Sequence, residues 1–170
     1  MNHILKVVSG CPVLMYQHFL SEPEENMAYR TTSDAFEKNI IDLLKNGYVS
    51  ISLAELQQIK NSTMEMPDSP FCLIMVGGYE SNYLIAYEIL KKYNVKADIF
   101  VITDFMGSNF HPRYGEIIPH FSWEQAREMV SGGLIKIHPF WHQLDDDKGE
   151  MQEVIKEKIS LIKDNLGEDN

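Results

Sequence analysis

A chain of 170 residues is long enough to form one domain with a sizeable buried core, well above the size at which disulfides or metals must supply stability. Its hydrophobic share of 44% and charged share of 24% match ordinary globular usage; they exclude wholesale disorder, and no apolar run approaches the length of a membrane span. A formal net charge of -10 works against binding nucleic acid or anionic lipid, because both require a positive surface that releases counterions, and nucleic acid is not expected as a partner.

Met1 to Gly10 carries one basic residue, Lys6, and no long apolar core followed by small residues, so no signal peptide is visible. The expectation is a cytoplasmic protein, or an extracellular or cell-wall one if a leader has been removed. Cys11 and Cys72 each sit in an apolar run and are expected to be free core thiols rather than a disulfide.

From Pro12 onward, short β-type runs alternate with helical patterns, the signature of βα units on a parallel sheet. The first run is Pro12-Val13-Leu14-Met15-Tyr16. A helix follows with Phe36, Ile40, Leu43 and Leu44 on one face, and Gly47 ends it. Tyr48 to Ile51 reads as a strand, and Ser52 caps a short helix from Leu53 to Ile59. A polar loop with Pro67, Asp68, Ser69 and Pro70 leads into Phe71-Cys72-Leu73-Ile74-Met75-Val76. That run is apolar throughout, as a strand covered on both faces should be, and Gly77-Gly78 ends it.

The next helix carries Tyr83, Ala86, Tyr87 and Leu90 on one face, and the next strand runs from Ala97 to Ile102, ending near Thr103 and Asp104. A long loop containing His111 and His120 follows. Ser122 and Gln125 form a capping-box pattern at the start of a helix with Trp123, Ala126, Met129 and Val130, which Gly132-Gly133 stops. Leu134 to Ile137 is the fifth strand. A last amphipathic helix carries Met151, Val154, Ile155, Ile159, Ile162 and Leu166.

Several of these segments together resemble one family: Pro12 to Phe19, Asn46-Gly47-Tyr48, Ala97 to Ile102, Ser122-Trp123-Glu124-Gln125, and His138 with His142. In this order they are similar to the NodB-type polysaccharide deacetylases, carbohydrate esterase family 4. The resemblance runs over nearly the whole chain. It implies an α/β fold: an incomplete (β/α) barrel of about five parallel strands with flanking helices, as one domain over residues 1–170. It also implies a metal-dependent hydrolase that removes N- or O-acetyl groups from a glycan.

Such chemistry needs a divalent metal, commonly zinc, to polarise a poor electrophile and acidify a water, and a carboxylate to take the water's proton. In the family a Thr-Phe-Asp-Asp-Gly motif supplies the base and one ligand, and a His-x-x-x-His motif supplies the other two ligands. Here the base position is Val76 and the ligand position is Gly77, and neither side chain can hold a proton or a metal. His138 and His142 keep the spacing of the second motif, after a turn a residue or two shorter than usual. Two histidines without a carboxylate would bind zinc or another divalent metal weakly.

Glu80 and Asp104 are candidate substitutes for the missing carboxylates. Asp145 to Asp147 favour the start of the last helix instead. Tyr16, His18 and Trp141 are candidate glycan contacts, with His18, His111 and His120 expected in loops on one rim.

The family continues past the last helix into further strands, whereas this sequence stops at Asn170, so an open sheet edge is expected. Three readings follow: an impaired or inactive deacetylase-like protein, an active deacetylase working through substitute residues, or a non-catalytic glycan-binding or self-associating protein. The last would form a homodimer across the open edge.

Overall fold

The computed structural model describes residues 4–25, 27, 29–109, 117–140 and 148–167. In chain order the strands and helices are β1 (Ile4–Val8), β2 (Cys11–Tyr16), β3 (His18–Leu20), β4 (Arg30–Thr32), α1 (Ser33–Lys45), β5 (Val49–Ser50) and α2 (Leu53–Lys60). They continue with β6 (Pro70–Gly77), a π-helical segment Asn82–Tyr87, α3 (Glu88–Tyr93), β7 (Ala97–Val101), α4 (Trp123–Ser131), β8 (Ile135–Pro139) and α5 (Lys148–Leu166).

The main sheet runs β1-β2-β6-β7-β8, with β5 beside the start of β6. Every pairing in it is parallel except β1 with β2, so five parallel strands carry the fold, and among the described residues no barrel closes. The antiparallel β1 was not foreseen. It turns into β2 through Ser9 and Gly10, whose φ values of 50° and 84° suit a two-residue hairpin. Also unforeseen is a small separate pair, β3 parallel to β4.

Side chains alternate across the sheet. On the outer face Leu14, Tyr16, Leu73, Met75, Ile99, Val101, Ile135 and Ile137 pack under Phe36 and Ile40 of α1, Leu90 of α3, Met129 of α4 and Ile162 of α5. On the inner face Cys11, Val13, Cys72 and Ile74 meet Ile51 and Leu56, so α2 covers the barrel-side surface. Each large side chain fully buried in β6 contributes about 1.5–3 kcal/mol.

Helix starts are fixed locally. Ser52 Oγ accepts from Glu55 N at 3.2 Å while Glu55 Oε2 accepts from Ser52 N at 2.8 Å. Ser122 and Gln125 make the same reciprocal pair at 3.2 and 2.7 Å. Each cap stabilises its helix by about 1 kcal/mol. The helix predicted around Tyr83 to Leu90 begins as a π-helix, which buries Asn82, Ala86 and Tyr87 together.

Candidate functional site

The C-terminal ends of β6, β7 and β8 carry the aligned motif positions. Val76 pairs in register with Phe100, and Phe100 with His138, so the three form one row across three strands on the inner face. β6 ends at Gly77 (φ 116°), paired with Val101, and the chain leaves the sheet through Gly78 (φ 75°). The Tyr79 ring then folds back over Gly77. A Cβ on Gly77 would lie 2.6 Å from Tyr79 Cε2 and 2.8 Å from Cζ.

Tyr79 is buried and lodged among rings: His18 edge-on at 5.3 Å and His120 at 5.2 Å. The turn is pinned from the other side by backbone bonds from Glu80 N to Pro119 O (2.8 Å) and from Phe121 N to Gly78 O (3.1 Å). His18 Nδ1 is bonded to Ser81 Oγ at 2.9 Å, and the same oxygen accepts from Phe19 N at 3.0 Å. The space beside Gly77 is therefore filled by an ordered aromatic cluster.

His138 does have a carboxylate partner, one that the sequence reading passed over. Asp98 Oδ1 lies 2.6 Å from His138 Nε2, and Asp98 Oδ2 accepts from Leu53 N at 2.8 Å. The Asp98 side chain is 1% exposed and that of His138 33%. Asp98 thus sits at the N-terminus of α2, where an otherwise unbonded N–H and the helix dipole both favour an anion. The His138 ring also lies against Phe100, centroids 5.0 Å apart. The sequence signal was a lone carboxylate inside an apolar strand.

The other described candidates do not converge on His138. Glu80 Oε1 accepts from Gln125 Nε2 at 3.4 Å and faces an open cleft of about 410 Å³ lined also by Tyr83, Glu124 and Glu128. Asp104 is 64% exposed and paired with Lys158 of α5. Tyr16, expected as a glycan contact, is a core residue: it packs edge-on against Phe36 at 4.9 Å, and its hydroxyl accepts from Asn39 Nδ2 at 3.2 Å. As the last residue of β2 it falls on the helix-covered face. His18 belongs to β3 and not to a loop, whereas His120 lies in the connection before α4, where it forms an isolated bridge with Tyr79 and is buried. Trp141, His142, His111 and Asp145 to Asp147 lie outside the described residues.

Cys11 and Cys72 are free, fully buried and 3.8 Å apart at sulfur. Burial, and then the neighbouring Cys11 thiol, push the Cys72 thiol far up.

The described residues do not fit the family's metal. Val76 and Gly77 offer no donor atom, Tyr79 fills the space a carboxylate at residue 77 would need, and Nε2 of His138 is engaged by Asp98. Among the described residues no three His, Cys, Asp or Glu side chains gather into a metal-binding group, and no helix is long and apolar enough to cross a membrane.

Comparison with known proteins agrees with this architecture. The chain superposes on the Streptococcus pyogenes deacetylase PplD in complex with acetate with a TM-score of 0.75 and 21% identity, over 92% of this chain and 69% of that one. For IcaB from Ammonifex degensii the TM-score is 0.72 and the identity 20%, over 91% and 70%. In sequence it is 31% identical over 134 residues to YxkH of Bacillus subtilis, which carries a provisional polysaccharide deacetylase name; the match covers 77% of this chain and 43% of YxkH. It is 27% identical over 150 residues to the poly-beta-1,6-N-acetyl-D-glucosamine N-deacetylase of Staphylococcus aureus, covering 86% and 50%. The chain spans about half the length of the curated relatives it matches. The polysaccharide deacetylase family model matches residues 72–170, more than half of the sequence, and the chain belongs to that family.

Proposed function

We propose that this chain, one NodB-type domain, is a deacetylase-like protein of carbohydrate metabolism that has lost the family's hydrolysis and retains recognition of an acetylated glycan. The observation that carries the first half is the Val76-Gly77 pair with Tyr79 packed over it. Amide hydrolysis needs a base within hydrogen-bond reach of the water and an electrophilic partner for the carbonyl. Val76 supplies no base, and the two candidate substitutes are committed elsewhere, Glu80 to Gln125 and Asp104 to Lys158. Zinc or another divalent ion has no role in this reading.

The glycan half is supported by the relatives. The Staphylococcus aureus protein is named for poly-β-1,6-N-acetyl-D-glucosamine, which makes β-1,6-linked N-acetylglucosamine oligomers the first probe. His18, half-buried beside Tyr79, is the remaining described glycan-contact candidate. Calorimetric titration of these oligomers into the wild-type chain and His18→Ala tests it. Saturable heat in the wild type, weakened in the variant, is the expected result, and no heat at millimolar oligomer contradicts glycan recognition.

Self-association is a second reading, favoured by one observation: β1 and β8 end the sheet without a further strand partner among the described residues. A homodimer would cover such an edge, and light scattering at monomer mass would contradict it.

A further inference from the structure

We infer that in this chain Asp98 takes the place of a divalent cation as the partner of His138 Nε2. The contact of 2.6 Å joins a carboxylate that is 1% exposed to a histidine on the neighbouring strand, two positions beyond Asp98's own register partner Lys136. In the inferred arrangement the carboxylate accepts across this contact and the proton sits on Nε2. That nitrogen then has no lone pair to give a metal. The other Asp98 oxygen is held by Leu53 N–H at 2.8 Å, so the carboxylate cannot swing away without stripping the first turn of α2 of its acceptor.

Three elements therefore meet at one buried group: α2 through Leu53, β7 through Asp98 itself, and β8 through His138. The Phe100 ring lies 5.0 Å from that of His138. A metal ion would do the same mechanical work, holding the histidine at the mouth of the sheet. Asp98 does it from within the fold, with no ligand from residue 77, where Tyr79 leaves no room. The inference rests on the alignment of His138 with the family's histidine motif and not on glycan binding, so the two stand or fall separately.

The test is a long-range proton–nitrogen NMR spectrum of the full chain labelled with 15N-histidine, with His138 assigned through His138→Gln, recorded during titration with zinc chloride. The expected spectrum has His138 as the Nε2–H tautomer, with neither ring nitrogen moved by several equivalents of zinc. In Asp98→Asn the amide oxygen keeps accepting from Leu53 N–H, so its NH2 faces Nε2, and His138 is expected to switch to the Nδ1–H tautomer, exchanging its two nitrogen shifts. A zinc-induced shift at Nε2 would overturn the inference. So would a shift at Nδ1 with Nε2–H retained, because that describes a carboxylate–histidine–metal triad. An unchanged tautomer in Asp98→Asn would overturn it as well. Should that variant not fold, the wild-type zinc titration decides by itself.

Discussion

Gly77 and Tyr79 exclude a side chain from each other's space: a Cβ on residue 77 would sit 2.6 Å from the Tyr79 ring, against a backbone φ of 116°. Restoring the family aspartate there is opposed twice, by the ring and by the backbone. Gly77→Asp is expected to destabilise the chain by about 2–4 kcal/mol, combining positive-φ strain with overpacking. In a double-mutant cycle by urea unfolding, Tyr79→Ala should couple favourably with Gly77→Asp, relieving the steric part and leaving the backbone part. Additive effects would mean the ring is not the obstacle.

Removing Asp98 leaves Leu53 N–H and His138 Nε2 without their acceptor. Asp98→Ala should cost about 2–3 kcal/mol in urea unfolding, less than for a fully buried pair because His138 is one-third exposed. A loss below about 0.5 kcal/mol would place the carboxylate outside any energetically meaningful network.

Much of this architecture is legible in the sequence because it is written locally. Ser52 and Ser122 announce their helices through the residue three positions on, and the unbroken apolar run from Phe71 to Val76 marks the central strand. Hidden features depend on partners distant in sequence. Asp98 meets Leu53 and His138, 45 and 40 residues away, and only its oddity inside an apolar strand hinted at a role. Tyr16 looked like a rim aromatic because the end of β2 was visible but the helix-covered face of its last residue was not. The Ser9-Gly10 turn was a readable hairpin signal. The three-residue strands β3 and β4 are too short to carry a pattern at all.

Glu55 gives the fold a pH dependence. Burial alone pushes its carboxyl up, but hydrogen bonds from Lys96 and from Ser52 outweigh it and hold it below the ordinary value of 4.5. A depressed carboxylate stabilises fully above its unfolded pKa, and the contribution fades as pH falls through the folded value. Glu55→Gln keeps the capping-box acceptor and removes the charge. It should be less stable than wild type by about 0.5–1 kcal/mol at neutral pH, a gap that closes as pH falls below 4.5 and through the depressed folded value. A gap independent of pH would assign the loss to packing.

The two cysteines should be chemically silent in the native state. Both are fully buried, and burial pushes both thiols up, so the reactive thiolate is scarce and inaccessible. Ellman's reagent should find no thiol in native protein and two after denaturation in guanidinium without reductant. One or none after denaturation would reveal a disulfide or another modification.

Acetate release from β-1,6-linked N-acetylglucosamine oligomers, on purified protein given zinc or cobalt and compared with His138→Ala and His142→Ala, tests the loss of the family reaction most directly. No release above buffer from any of the three proteins is the expected result. Metal-dependent turnover in the wild type that disappears in the histidine variants would contradict it, and would require a base that neither Glu80 nor Asp104 supplies in their present positions.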